Sequence, residues 1–306
     1  MAGMQPFRIK TISDYHQVNG LPKPEHPLIS VINLDEIKQW PSEKPASLVF
    51  DFYSIALKRN FNAIVKYKYG QQAYDFDEGV MFFIAPGQVF SVMADRDYQL
   101  SGWMVLVHPD FLWNTPLAKK IKQYEYFSYS VHEALHLSEK EEVMVTGIMQ
   151  YMAHEYHANM DKFSQDIMIA QLDLVLTYAD RFYQRQFITR KITNHQTLDR
   201  LEAILARFFN GDALAERGLP SVQEIADALN VSPTYLSGLL KVLTGRSTQQ
   251  HIHDKLIDKA KEQLSTTDLS VSEIAYALGF EHPQSFSKLF KTKTMLSPLE
   301  FRQSFN

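Results

Sequence analysis

Two stretches of the chain, SVQEIADALNVSPTYLSGLLK at 221–241 and SVSEIAYALGFEHPQSFSKLFK at 270–291, are variants of one pattern. They align from Ser221 and Ser270 with an offset of 49, and one extra residue in the second turn raises it to 50, so that Lys241 corresponds to Lys291. Each opens with Ser-x-x-Glu, Ser221/Glu224 and Ser270/Glu273. This is the spacing of a capping box: the hydroxyl accepts from a first-turn N–H and the Glu reaches back to the cap residue's own N–H. A helix therefore starts at each. Ile225, Ala226 and Leu229, like Ile274, Ala275 and Leu278, give it an inner face, and the small Ala admits a closely crossing helix. Asn230-Val231-Ser232 and Gly279-Phe280-Glu281 end it, since Asn and Gly tolerate a left-handed terminal conformation. A second helix follows within four residues. Helix, short turn and steeply crossing second helix make the helix-turn-helix unit, whose second helix can enter the DNA major groove.

Between the copies, His251–Leu264 places Ile252, Leu256, Ala260 and Leu264 at helical spacing. A rigid connecting helix there is expected to hold the two recognition helices about one DNA turn, roughly 34 Å, apart on one face of the duplex. Further matches are Tyr235-Leu236, Leu240-Lys241, Gly245, Lys255-Leu256, Ser285-Phe286-Ser287, Leu289-Phe290-Lys291, Ser297-Pro298 and Phe301-Arg302. On these residues, 221–305 resembles the double helix-turn-helix domain of the AraC/XylS family of bacterial transcriptional regulators. The resemblance implies a two-domain layout: a cupin-like β-barrel at 1–137, a helical dimerisation and linker region at 138–196 and a DNA-binding domain at 197–306. It also implies double-stranded promoter DNA as partner, a small organic effector, RNA polymerase if the protein activates, and a homodimer. The sequence departs from the family at Gly238, where Arg or another long polar residue is frequent, at Met295, where Gly is usual, and at Lys255, where Arg is usual.

On the second recognition helix, the face opposite Phe286, Leu289 and Phe290 carries His282, Pro283, Gln284, Ser285, Ser287 and Lys288, with Lys291 beyond. By the resemblance this face meets base edges. The chemistry allows it, because Gln can bridge adenine N6/N7 and Lys reaches guanine O6/N7 or phosphate. On the first, Ser232, Pro233, Thr234, Ser237 and Lys241 correspond, and short hydroxyls reach phosphate more readily than bases. Residues 221–306 hold nine Lys/Arg and nine Asp/Glu, so the domain is not basic as a whole. Lys288, Lys291, Lys293 and Arg302 are opposed in their stretch only by Glu300, which marks that end as the phosphate footprint.

The remainder of the 306 residues is that of an ordinary globular chain, 45% hydrophobic and 22% charged, with a net charge of −4. No cysteine occurs, which excludes disulfides, thiolate metal sites and a cysteine nucleophile and fits a reducing compartment. The first 18 residues lack an apolar signal core, and no stretch approaches a membrane span, so a cytoplasmic protein is expected. Short β-branched and aromatic runs at 27–34, 46–58, 63–69, 79–86 and 101–109, separated by turn residues, predict a β-sandwich or small barrel. Helices are predicted over 117–123, 138–160 and 163–187. The last carries Ile167, Leu174 and Tyr178 with Ile169, Leu172, Leu176 and Ala179, a face that packs on its own domain or on a partner's equivalent helix. The polar segment 185–196 reads as the linker, and 198–209 begins another helix.

Metal-dependent cupin enzymes carry a His-x-His…Glu motif and a further His. The corresponding stretches, 69–80 and 84–92, contain no histidine. His154 and His157 lack the HExxH spacing, and no GxSxG, GxGxxG or Walker motif appears. No catalytic residue, metal site or cofactor is expected. Phe52, Tyr67, Tyr69, Phe83 and Trp103, among other barrel aromatics, either line a pocket for the effector or simply fill the barrel. The alternatives are a ligand-independent regulator whose barrel only dimerises and, against the missing histidines, a cupin enzyme with a DNA-binding tail.

Overall fold

A computed structural model describes residues 6–36, 47–59, 79–90, 101–129, 133–159, 161–189, 191–209, 214 and 218–304. The chain divides into two compact units, Met1–Arg190 and Lys191–Asn306. The division falls inside the polar segment 185–196, on whose two sides the backbone is helical.

The first unit is built on eight strands among the described residues: β1 (Phe7–Ile9), β2 (Ile29–Asn33), β3 (Leu48–Phe50), β4 (Tyr53–Arg59), β5 (Gly79–Ile84), β6 (Val89–Phe90), β7 (Ser101–Val107) and β8 (Leu135–Leu137). They form a three-stranded sheet, β1-β3-β6, and a five-stranded antiparallel sheet, β2-β7-β4-β5-β8, rather than one closed barrel. The run 46–58 is broken at Asp51-Phe52, which sends β3 to one sheet and β4 to the other. The strand expected at 63–69 lies outside the described residues.

Register fixes which side chains share a face. Ala56 stands opposite Phe82 and Met104, while Ile55 stands opposite Phe83 and Val105. Ala56 and Met104 join Ile9, Phe50, Phe52 and Phe90 in a core between the two sheets, sealed by Ile12 and Tyr15 of the short helix α1 (Ile12–Val18). Phe83 therefore points to the other side, where its ring meets those of Tyr126, Phe127 and Tyr183 at 4.5, 5.7 and 6.2 Å. That side is covered by a run of short helical turns that includes α2 (Leu117–Lys120), by α3 (Glu139–Tyr156) and by α4 (Ser164–Thr189). The stripe that α4 buries in its own unit is Met168, Leu172, Val175, Leu176 and Ala179; Ile167 and Leu174 stay exposed. Neither α1 nor β8 figures among the elements expected from the sequence.

The second unit is helical: α5 (Lys191–Phe209), α6 (Val222–Leu229), α7 (Pro233–Thr244), α8 (Thr248–Thr266), α9 (Val271–Ala277), α10 (Pro283–Thr294) and α11 (Pro298–Gln303). Leu201 and Leu205 of α5, Ile225 of α6, Leu236 of α7, Leu256 and Ala260 of α8, Ile274 of α9 and Phe286 and Phe290 of α10 belong to one continuous core. Both helix pairs are thus built on a single hydrophobic interior. Its burial supplies most of the unit's stability and holds the pairs as one body.

Candidate nucleic-acid interface

Backbone chemistry aims each recognition helix. At α6, Glu224 Oε2 accepts from the Ser221 amide at 2.7 Å and Ser221 Oγ accepts from the Glu224 amide at 3.2 Å. The Ser270/Glu273 pair repeats those two bonds at 2.7 and 3.2 Å ahead of α9. The capping boxes read from the sequence are both formed. The chain then turns through Asn230 at φ +58 or Gly279 at φ +81, the left-handed region. At Gly279 more is required than conformation: a Cβ there would lie 2.7 Å from the Leu214 carbonyl oxygen and 2.9 Å from Gly218 Cα. α7 and α10 follow, each 12 residues long with Pro at its first position.

The first recognition helix presents little reach. Ser232 caps it, its hydroxyl accepting from the Tyr235 amide at 3.2 Å. Pro233 and Thr234 are half-buried. Ser237 is turned inward, its Oγ 3.1 Å from Oγ1 of the fully buried Thr248 at the start of α8. Gly238 adds no side chain, and Lys241 alone of this set is exposed.

The second is different. His282, Gln284, Ser285, Lys288 and Lys291 are exposed, and Gln284, Lys288 and Lys291 are spaced i, i+4, i+7 along the face opposite the buried Phe286 and Phe290. Pro283 is half-buried, as is Ser287, whose hydroxyl donates to the Pro283 carbonyl at 3.0 Å. Two cations of the expected phosphate footprint are engaged inside the protein. Lys293 Nζ donates to Asp254 Oδ1 at 2.8 Å, and Arg302 Nε donates to the Leu264 carbonyl at 3.1 Å, where a cation complements the last turn of α8. Lys288 and Lys291 are the two cations of that expected footprint on the face of α10 opposite Phe286 and Phe290. The partners of Lys293 and Arg302 lie 39 and 38 residues away in sequence, beyond the range of local spacing rules.

Asp254 receives a second cation, Arg246, whose Nη1 donates to Oδ2 at 2.9 Å. Partial burial pushes the Asp254 carboxyl up, but the hydrogen bond and charge of Lys293, with Arg246, outweigh it and hold the group below the ordinary carboxylate value. His251 and His253 beside it are held below the ordinary imidazole value, by burial first and then by Arg246 and Lys293 respectively. His251 Nε2 lies 2.8 Å from Thr244 Oγ1 at the end of α7.

In the first unit, Phe52 lies in the core between the sheets and Phe83 on the far side of the five-stranded sheet, while Trp103 is half-buried. These three do not line one cavity; Tyr67 and Tyr69 lie outside the described residues. A cleft of about 610 Å³ opens instead beside Tyr53, Leu112, Trp113, Lys119 and Lys122. His154 is exposed and His157 Nδ1 lies 2.6 Å from Glu25 Oε1. Among the described residues no three His, Asp or Glu side chains converge as a metal site, and no helix is long and apolar enough to cross a membrane.

A family model described as a helix-turn-helix domain matches residues 225–304. The chain is 37% identical over 94 residues to the transcriptional regulatory protein YesN of Bacillus subtilis, covering 30% of this chain and 26% of that one. It is 37% identical over 83 residues to the HTH-type transcriptional activator RhaS of an Enterobacter species, covering 27% of this chain and 30% of that one. The matched segment thus spans less than a third of either relative. A solved structure of ToxT from Vibrio cholerae aligns with 90% of this chain and 97% of its own, at 13% identity and a TM-score of 0.30. Two capped helix pairs on one core, matched from residue 225 to residue 304, make the C-terminal unit of this chain an AraC-type double helix-turn-helix domain.

Proposed function

We propose that the chain is a one-component transcriptional regulator that binds double-stranded promoter DNA through α7 and α10. The exposed Gln284–Lys288–Lys291 stripe carries this reading, because it puts an amide and two cations on the helix that a helix-turn-helix unit offers to the major groove. Within this reading α10 reads bases, and α7, through Thr234 and Lys241, contributes mostly phosphate contacts. The first unit serves as the sensory part, with a small organic effector that favours one arrangement of the two units and so shifts promoter occupancy. The exposed Ile167 and Leu174 of α4 are the surface through which a second copy would pair. Neither the catalytic motifs nor the metal ligands of a cupin enzyme enter this account, and a cytoplasmic location goes with it.

The test is capture of genomic DNA fragments by the purified protein at two salt concentrations. A recovered motif of two blocks about one helical turn apart supports the reading. Capture that is salt-sensitive and independent of sequence, with and without cell extract as a source of effector, overturns it.

A further inference from the structure

The carboxylate of Asp254, in the second turn of α8, joins parts that are distant in sequence. Arg246 directly follows Gly245, the left-handed residue that ends α7, and Lys293 lies in the last turn of α10. Arg246 Nη1 and Lys293 Nζ donate to the two different oxygens of Asp254, at 2.9 and 2.8 Å. One side chain of the connecting helix therefore fastens the C-terminal ends of both recognition helices to the same turn. All three side chains retain partial exposure, 60% for Arg246, 28% for Lys293 and 31% for Asp254, so the junction is not part of the apolar core. Apolar packing resists separation of helices more than small sliding along their axes, whereas two charge-assisted bonds to one carboxylate fix position.

We infer that Asp254 is a positioning residue that sets the spacing of α7 and α10 on DNA and withholds Arg246 and Lys293 from phosphates. The inference rests on the regulator reading. Without Asp254 the two helix ends would adjust independently to the spacing of the two DNA blocks, and two cations would become available to the backbone. Loss of this one carboxylate therefore relaxes selectivity for spacing while strengthening binding that ignores sequence. A residue that only stabilised the fold would weaken both.

The experiment uses the full chain as wild type, Asp254→Asn and Lys293→Met, on the recovered two-block operator, on versions with one or two base pairs inserted between the blocks, and on random duplex over a range of salt. In Asp254→Asn the preference for native spacing should fall several-fold, and the salt dependence on random duplex should steepen by about one to two in log–log slope. In Lys293→Met, which leaves Asp254 paired with Arg246, the preference should also fall but the slope should not steepen. Lys293→Met also serves if Asp254→Asn does not fold. Unchanged spacing preference in a variant with wild-type circular dichroism overturns the inference and leaves the regulator reading intact. If the wild type itself selects no two-block operator, both fall together.

Discussion

The two helix-turn-helix units are alike where the backbone decides and unlike where the surface does. Both begin on a Ser/Glu box with the same pair of bond lengths, and both present a 12-residue second helix that starts at Pro. Their turns and tails diverge. The first unit turns at Asn230 and ends its second helix at Gly245; the second turns at Gly279 and ends at Met295, a side chain 81% exposed at φ +65. The first packs its second helix with Leu236 and Leu240, the second with Phe286 and Phe290. Outward, the first offers a glycine, an inward-turned Ser237 and a single lysine, Lys241, the second an amide and two lysines. A capping code and an apolar stripe suffice to repeat a frame, and they leave the exposed face unconstrained.

This comparison can be broken at several points. Phe290→Ala, which empties a fully buried site, should cost about 3–5 kcal/mol. Because both units share one core, the C-terminal unit should still lose its helicity in a single thermal transition; two separable transitions would show that the units fold independently. Gly279→Ala should cost about 2–4 kcal/mol, from the left-handed backbone and the close Leu214 carbonyl together. Asn230→Ala, at a site that already holds a Cβ, should lose only about 1 kcal/mol, and chemical denaturation of the two variants would expose equal losses if the contact at Gly279 were unimportant. On the recovered operator, Gln284→Ala or Lys288→Ala should weaken specific binding by about 1–3 kcal/mol. Ser237→Ala should leave DNA affinity nearly unchanged in the same titration, since its hydroxyl faces Thr248; comparable losses would mean that α7 meets the DNA by another face. Finally, Met295→Gly should raise stability by about 1 kcal/mol by relieving the left-handed strain, and a fall in melting temperature would mean that the exposed Met side chain contributes a contact.

Much of this was legible in the sequence because the deciding signals are local. Capping boxes, Pro at a helix start and Asn or Gly at a helix end act within four residues, and the connecting helix predicted over 251–264 occupies Thr248–Thr266. The β runs at 27–34, 46–58, 79–86 and 101–109 were legible as strands, although Asp51-Phe52 divides one of them between two sheets, which alternation alone does not reveal. What escaped depends on side chains finding partners across the fold. Lys293 and Arg302 look like surface cations in a basic stretch until Asp254 and the end of α8 are brought beside them. Phe52 and Phe83 look equivalent as barrel aromatics until the strand register puts them on opposite sides of a sheet. The polar run 185–196 reads as a linker because polarity is a cue to exposure and says little about backbone conformation.

The participation of α5 in the core has a practical corollary for dissecting the molecule. The matched family segment starts at residue 225, inside α6 and after the Ser221 cap, whereas the cohesive body begins at Lys191 and includes Leu201, Leu205 and Phe209 against α6 and α8. A fragment expressed from residue 221 would expose apolar surface of α6 and α8 to water and should aggregate or melt at low temperature, whereas one expressed from 191 keeps that surface covered. Limited proteolysis should accordingly leave a resistant product whose first residue lies near 190 rather than near 220.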